Sequence, residues 1–446
     1  MSLLRLRASL ASFATAGIPP SLVNVGWAFG TQLIGLALSI LTTAVLARSL
    51  GPGGQGVLSV SLLIPTLLVL VSGGGLYAAN AFYTGSRRIE VADLTRNASA
   101  VAIIGTAGSV LLIGLLFATG ILQWLLPGIT PALTAAALLV LPGLMIRQSS
   151  SAILVGLQQI SRASRGDLVQ AATFFAAAAL LVGIAGAGVL GALGAYLVAL
   201  TAAFLVTARW LKPAGARFMP RLNTPILRRT IGFGYRGSAG MLLQFFTYRL
   251  DLIIVNLLIG ATAAGHYAIS ARLSELLWIL PGAVGTVIFS RSAASTSRDM
   301  NGITPRAFWL TTIVCVAAGA IMVAFGNFAI SVLFSVAFAP SYIPLVILVP
   351  GAVFIGASSI LANYLVGRGH PGLVSLATLV AFAITIPLDL SLIPSFGIAG
   401  AALASTLAYA GYFGGVLVVY LRVTTLSLRR FLEAAIVWKV TEAPRP

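Results

Sequence analysis

The chain has 446 residues and a formal charge of +18, yet only 8% of its residues are charged and 59% are hydrophobic. Water-soluble domains carry about 25% charged residues, so the composition excludes a soluble globule and places the chain in a bilayer. With Cys315 as its single cysteine and only two histidines, the chain can form neither an intrachain disulfide nor a multi-cysteine metal site.

Residues 1–21 are basic at Arg5 and Arg7, and Ser9, Ser12 and Thr15 interrupt their apolar pattern. This predicts an uncleaved cytoplasmic lead-in lying at the interface, not a signal peptide. Twelve apolar stretches follow, each near the roughly 20 residues needed to cross about 30 Å of hydrocarbon. They lie near 22–46, 57–82, 99–120, 132–155, 168–187, 190–211, 231–259, 265–289, 307–333, 342–366, 372–392 and 397–421. A basic connection, 212–230, separates the sixth span from the seventh, and 422–446 forms a basic tail.

The first six spans echo the last six at a spacing of about 209 residues. Gly51 answers to Gly260, Gly188 to Gly397 and Gly191 to Gly400, while Leu168, Val169, Ala172 and Thr173 answer to Leu373, Val374, Ala377 and Thr378 at a slightly shorter offset. Six is even, so both halves enter and leave the membrane in the same sense. The expectation is an all-α polytopic membrane protein whose two six-helix lobes, 22–211 and 231–421, are related by a pseudo-twofold along the membrane normal. A cleft between such lobes is a route for a substrate.

Basic residues decide the sidedness. With the N-terminus inside, Arg87, Arg88, Arg96, Arg162, Arg165, the 212–229 connection, Arg291, Arg298, Arg306, Arg368 and the tail are all cytoplasmic. The loops near 121–131, 186–190, 326–341 and 393–396 hold no Lys or Arg, as extracytoplasmic turns require. The charge is therefore a topology signal with attraction to anionic head groups, and no nucleic-acid partner is expected. Asn97-Ala98-Ser99 matches a glycosylation sequon but falls on the cytoplasmic side. Pro65, Pro142, Pro281, Pro350 and Pro387 interrupt spans, and Pro65 and Pro281 are expected to act as hinges.

Within the spans a short set of charges is left: Arg147, Arg236, Arg249, Asp251, Arg272, Glu275 and Asp389, with Arg48 at the outer end of the first. Each ionised group facing lipid costs at least about 2.5–3.5 kcal/mol, so such groups face a bundle interior or a wet cavity. Arg249 and Asp251 point in different directions from one helix. Arg272 and Glu275, three apart, share a face, and a cross-helix pair of Arg249 with Glu275 is expected. Arginines outnumber carboxylates, so an anionic substrate can supply the missing charge; satisfied ion pairs are the alternative. Tyr248, Tyr267, Gln244, Asn256 and His266 lie nearby in sequence and can hydrogen-bond or stack on sugars, with His266 expected to be solvated near an outer turn. Glu275, Asp389 and Asp251 are candidate ion-coupling groups. No GxxxxGK[ST] loop, metal constellation or long outer loop is present, so no catalytic residue, metal or cofactor is expected.

The segment Gly26-Trp27 through Ala47-Arg48-Ser49-Leu50-Gly51-Pro52-Gly53-Gly54-Gln55-Gly56, with Tyr248-Arg249-Leu250-Asp251 and Gly260-Ala261-Thr262-Ala263-Ala264-Gly265-His266-Tyr267, resembles bacterial polysaccharide flippases of the Wzx type. These belong to the multidrug/oligosaccharidyl-lipid/polysaccharide exporter superfamily and are MATE/MurJ-like in fold. The resemblance implies a V-shaped alternating-access carrier of the bacterial inner membrane, with both termini cytoplasmic. It moves a polyprenyl-pyrophosphate-linked oligosaccharide outward for O-antigen, capsule or exopolysaccharide, beside other polysaccharide-assembly proteins. It also implies cavity-lining basic residues on the first, second, seventh and eighth spans, which map to Arg48, Arg249 and Arg272; the second span here has none. Arg147 and Tyr248 join them as candidate substrate-binding residues. The rival within the superfamily is an ion-coupled multidrug or organic-cation antiporter, which would want an acidic cavity. A membrane-embedded glycan transferase or polymerase, and a non-transporting scaffold, are the other classes.

Overall fold

The computed structural model describes residues 20–294 and 297–433, with side chains for all of these except 20–29, 236–239, 297–299 and 301. The expected structures of the lead-in before Pro20 and of the tail after Glu433 lie outside the described residues, as does the side chain of Arg236.

The protein is an all-α polytopic membrane protein, with no strand among the described residues. In chain order the helices are α1 (Pro20–Ser72), α2 (Leu76–Gly85), α3 (Val91–Ala118), α4 (Ile121–Leu125), α5 (Pro131–Gly156), α6 (Ile160–Ala178) and α7 (Gly188–Leu211). They continue as α8 (Thr224–Leu258), α9 (Ala261–Ser274), α10 (Ile279–Ala294), α11 (Ser297–Phe334), α12 (Tyr342–Gly367), α13 (Pro371–Thr424) and α14 (Leu428–Glu433). Among the described residues ten stretches of helix are long and apolar enough to cross a membrane. Two of these are double. α13 has 54 residues, about 80 Å of continuous helix at 1.5 Å per residue, and it breaks at Gly397 (φ 61°, ψ −139°). α1 breaks at Gly51 (φ 65°, ψ 178°). Each break divides one helix into two stretches, which makes twelve potential crossings among the described residues.

Corresponding glycines of the two repeats adopt corresponding backbones. Gly260, the partner of Gly51, has φ 111° and ψ 176°, and Gly188, the partner of Gly397, has φ 61°. A side chain would strain these left-handed conformations. Pro52 then occupies the first helical position after Gly51, where its missing N–H has no intrahelical role.

Several interior hydroxyls are satisfied within their own helices. Thr42, Thr207 and Thr385 donate to the carbonyls of Leu38, Ala203 and Ala381 at 2.7, 2.9 and 2.9 Å, which removes the cost of a bare polar group in hydrocarbon. Large apolar side chains face outward, Ile184 being 81% exposed, as a lipid-facing surface requires.

The chain divides into two compact units assembled from non-contiguous segments. One comprises the described residues up to Val45 with Leu68–Leu111 and Ala135–Arg236, and the other comprises Leu46–Leu67, Leu112–Thr134 and the described residues from Gly237 onward. The first unit has a core of Leu94, Ile153, Leu154, Ala163 and Leu211. In it Phe82 stacks on Phe233 with ring centroids 4.6 Å apart. The second unit centres on Phe308, Ile360, Tyr364, Val416, Tyr420 and Phe431, with α14 docked by a 2.9 Å hydrogen bond from Trp309 Nε1 to the Phe431 carbonyl.

One close approach inside the second unit has the symmetry of the repeat. A Cβ on Gly56 would strike the carbonyl oxygen of Ala261, and a Cβ on Gly265 would strike that of Pro52. Gly56 and Gly265 are equivalent positions of the repeat, as are Pro52 and Ala261, so one half of the contact generates the other. Only hydrogen at both positions lets the backbones lie this close.

Candidate functional site

The densest polar cluster of the second unit is built from α8, α9, the turn after α9, and the second half of α13. Lacking an N–H, Pro281 leaves the Leu277 carbonyl without an intrahelical donor; residues Glu275–Trp278 form a 3-10 turn, and the buried Cys315 thiol donates to Leu277 at 3.5 Å. α9 thus gives way at Ser274 to a 3-10 turn that begins with Glu275 and precedes Pro281 of α10.

Glu275 Oε1 lies 2.7 Å from Arg249 Nη1, and Oε2 lies 3.5 Å from Arg272 Nη1. Two guanidiniums thus share one carboxylate. The carboxylate is 15% exposed, whereas Arg249 and Arg272 are 34% and 48% exposed, so both cations present surface beyond their shared partner. Beside them Tyr248 packs on Trp278 with ring centroids 5.0 Å apart and meets Tyr409 edge-on at 5.7 Å. The Tyr248 hydroxyl accepts a hydrogen bond from Gln244 Nε2 at 3.3 Å.

Two residues along α8 the helix has turned by about 200°, and Asp251 faces a different, buried environment. Its carboxylate accepts from the Leu252 amide at 2.7 Å, from Ser405 Oγ at 2.8 Å and from the Tyr267 hydroxyl. Ser405 and Tyr409, four apart, lie on one face of α13 and serve the two clusters in turn. Asp389, on the first half of α13, is fully buried, neither carboxyl oxygen has a hydrogen-bond partner, and it lies within electrostatic reach of Asp251. Among the described residues no three His, Cys, Asp or Glu side chains come together as a metal site.

The other predicted site residues lie apart from this cluster. Arg48 donates from Nε to the Leu333 carbonyl at 3.0 Å and from Nη2 to that of Val332, where it caps the negative end of the α11 dipole. Arg147 is buried in the first unit, with Nη2 bonded to Asp167 of α6. Asn256 Nδ2 holds the Pro127 carbonyl at 3.1 Å, a tie between chain segments. His266 corrects an expectation: it is buried against Phe338, with ring centroids 5.7 Å apart, and is not solvated at a turn.

Sequence reasoning missed Trp278, Ser405 and Tyr409. Trp278 had a local signal, three residues beyond Glu275 on the same helical side. Ser405 and Tyr409 had none, because only tertiary packing brings the twelfth span against the seventh and eighth.

No family model matches the chain. A probable low-salt glycan biosynthesis flippase of Haloferax volcanii, Agl15, is 22% identical over 225 residues, which is 48% of this chain and 47% of that protein. The match therefore spans about half the length of the curated relative. A lipid II flippase, MurJ, in an inward closed conformation superposes with a TM-score of 0.70 over 93% of this chain and 90% of that one, at 14% identity. An inward-facing multidrug resistance MATE family transporter of the MOP superfamily gives 0.65 over 92% and 100%, also at 14%. A MOP superfamily transporter from Pyrococcus furiosus, described as having reversed binding-pocket polarity, gives 0.61 over 93% and 96% at 16% identity. The chain shares the fold of these transporters.

Proposed function

We propose that the chain is an alternating-access flippase carrying a polyprenyl-pyrophosphate-linked oligosaccharide from the cytoplasmic to the outer leaflet of a bacterial inner membrane. Its product would feed a surface polysaccharide such as O-antigen, capsule or exopolysaccharide. The observation that carries this reading is the Arg249–Glu275–Arg272 cluster, in which two guanidiniums share one carboxylate within apolar spans. An anionic head group would meet the exposed parts of these two cations, and guanidinium meets phosphate oxygens in bidentate geometry. Tyr248, Trp278 and Tyr409 offer aromatic faces for sugar rings. The similarity to a glycan flippase and the transporter fold support the same reading. In it the lobes 22–211 and 231–421 are the moving parts, the 212–230 connection and both termini are cytoplasmic, and other polysaccharide-assembly proteins are neighbours. Arg48 and Arg147, each engaged elsewhere, serve as structural cations, and no residue has a catalytic role.

A second reading has its own observation. The aromatic trio beside carboxylates also suits an organic cation, as an ion-coupled multidrug antiporter would need. Proteoliposomes loaded with a fluorescent polyprenyl-pyrophosphoryl oligosaccharide, or with an ethidium-class cation, separate the two. Movement of the lipid-linked sugar without movement of the cation is the expected result, and the reverse would establish the antiporter.

In this reading Asp251 and Asp389 couple transport to an ion gradient, while Glu275 acts as counter-ion to its arginines. A buried carboxyl without a hydrogen-bond partner binds a proton or a cation to relieve its isolation. Asp389→Asn keeps the shape and removes the charge. It is expected to lower transport under an imposed proton or sodium gradient to the rate seen without one. An undiminished gradient response in the variant would remove Asp389 from the coupling role.

A further inference from the structure

A groove at the end of α7 belongs to neither cluster described above. Leu205, Ala208, Arg209 and Lys212 recur at three- and four-residue spacing and share one helix face. The chain then turns back on itself: Gly215 is left-handed (φ 84°), and the Ala216 amide bonds the Leu211 carbonyl at 3.3 Å. Phe218 packs edge-on against Phe204 with ring centroids 5.0 Å apart. This return segment is strapped to α3. The Arg217 amide donates to Thr95 Oγ1 at 2.9 Å, and the Asn223 amide donates to Asn97 Oδ1 at 2.8 Å. The basic connection is therefore a built wall, not a free loop. It borders an open groove of about 610 Å³ lined by Leu205 and Val206, by Ala216 and Phe218, and by Arg209 and Lys212.

The groove has the polarity of a phospholipid. Its apolar part lies toward the spanning portion of α7, and its two cations lie where the helix leaves the hydrocarbon. No ion pair among the described residues involves Arg209 or Lys212, and no carboxylate lines the groove. On the sidedness proposed above this end faces the cytoplasmic leaflet, which carries the anionic lipids. We propose that the groove is a binding site for an anionic phospholipid, its phosphate held by Arg209 and Lys212 and an acyl chain laid along Leu205 and Phe218. The occupant would brace the 212–223 wall against α7.

Native mass spectrometry of the full-length chain, released from micelles containing phosphatidylglycerol or phosphatidylcholine, tests this. Retention of one phosphatidylglycerol well above phosphatidylcholine is expected. A cation facing anionic lipid is worth about 1 kcal/mol, or roughly fivefold, so Arg209→Gln and Lys212→Gln should each cut retention about fivefold and the double variant about 25-fold. Arg209→Lys should retain it. Leu205→Trp, which fills the groove without touching either charge, should also displace the lipid. Equal retention of the two lipids, or unchanged retention in the double variant and in Leu205→Trp, would overturn the site. Two further outcomes would overturn it by naming another occupant: displacement by inorganic phosphate alone, or polyprenyl pyrophosphate outcompeting phosphatidylglycerol. Failure of the transport assay would leave the retention result standing, so the two proposals fail separately.

Discussion

Replacing Gly56 or Gly265 with valine, each alone, is expected to cut transport roughly 5- to 150-fold and to hold the chain with the starts of the two facing helices parted. The added Cβ meets backbone, the Ala261 carbonyl in one case and the Pro52 carbonyl in the other, so no rotamer change relieves the clash. Both helices begin directly after a left-handed glycine, Gly51 or Gly260, which fixes where each backbone runs. Overpacking costs about 1–3 kcal/mol, which moves a two-state equilibrium roughly 5- to 150-fold toward the parted state. An alternating-access carrier must make and break one such seal in every cycle, so a bias of that size stalls it. The chain is suited to a direct readout. Its single cysteine, Cys315, is buried, and Gln55, next to Gly56 at the crossing, is buried as well. A Gln55→Cys reporter should resist a membrane-impermeant maleimide in the parent and react in either glycine variant. Native transport with unchanged labelling in both variants would show that the crossing is only packing.

The second large effect belongs to Arg249. Arg249→Ala, like Arg272→Ala, is expected to abolish surface polysaccharide while the chain still inserts, because a hydrogen bond to a charged group is worth about 1.5–3 kcal/mol and a bidentate phosphate contact loses two. The stability cost should be smaller. Glu275 keeps Arg272 as a partner at 3.5 Å, and Arg249 is a third exposed, so solvent screens much of the pair energy. Arg249→Lys keeps the charge without the planar fork and should recover only part of the activity. The decisive variant is Arg249→Ala combined with Glu275→Gln, which removes both ends of the ion pair. If Arg249 serves only to neutralise Glu275, the double variant regains transport; if it meets the substrate, transport stays lost. Recovery would refute the head-group assignment, and the coupling between the two sites is the quantity to report.

Membrane residence, the twelve crossings and the repeat were legible because each follows from local quantities. Hydropathy over about 20 residues sets whether a segment crosses, and a glycine required by a left-handed φ recurs wherever the repeat recurs, as at Gly51 and Gly260. Charges inside the spans were legible for the same reason, since their transfer cost depends on residue type and depth alone. The pairing of Arg249 with Glu275 was within reach because one short turn joins their helices.

Packing between distant segments decided the rest. The partners of Arg48, two carbonyls at the end of α11 some 285 positions away, follow from no local pattern. Asp251 is held by a serine 154 residues distant, and Asp389 is isolated because nothing on the faces packed around it donates a hydrogen bond. The composition of this chain determined that its charges must avoid lipid; which partner each one meets was decided by the directions in which side chains leave neighbouring helices, and those directions are set when the helices pack.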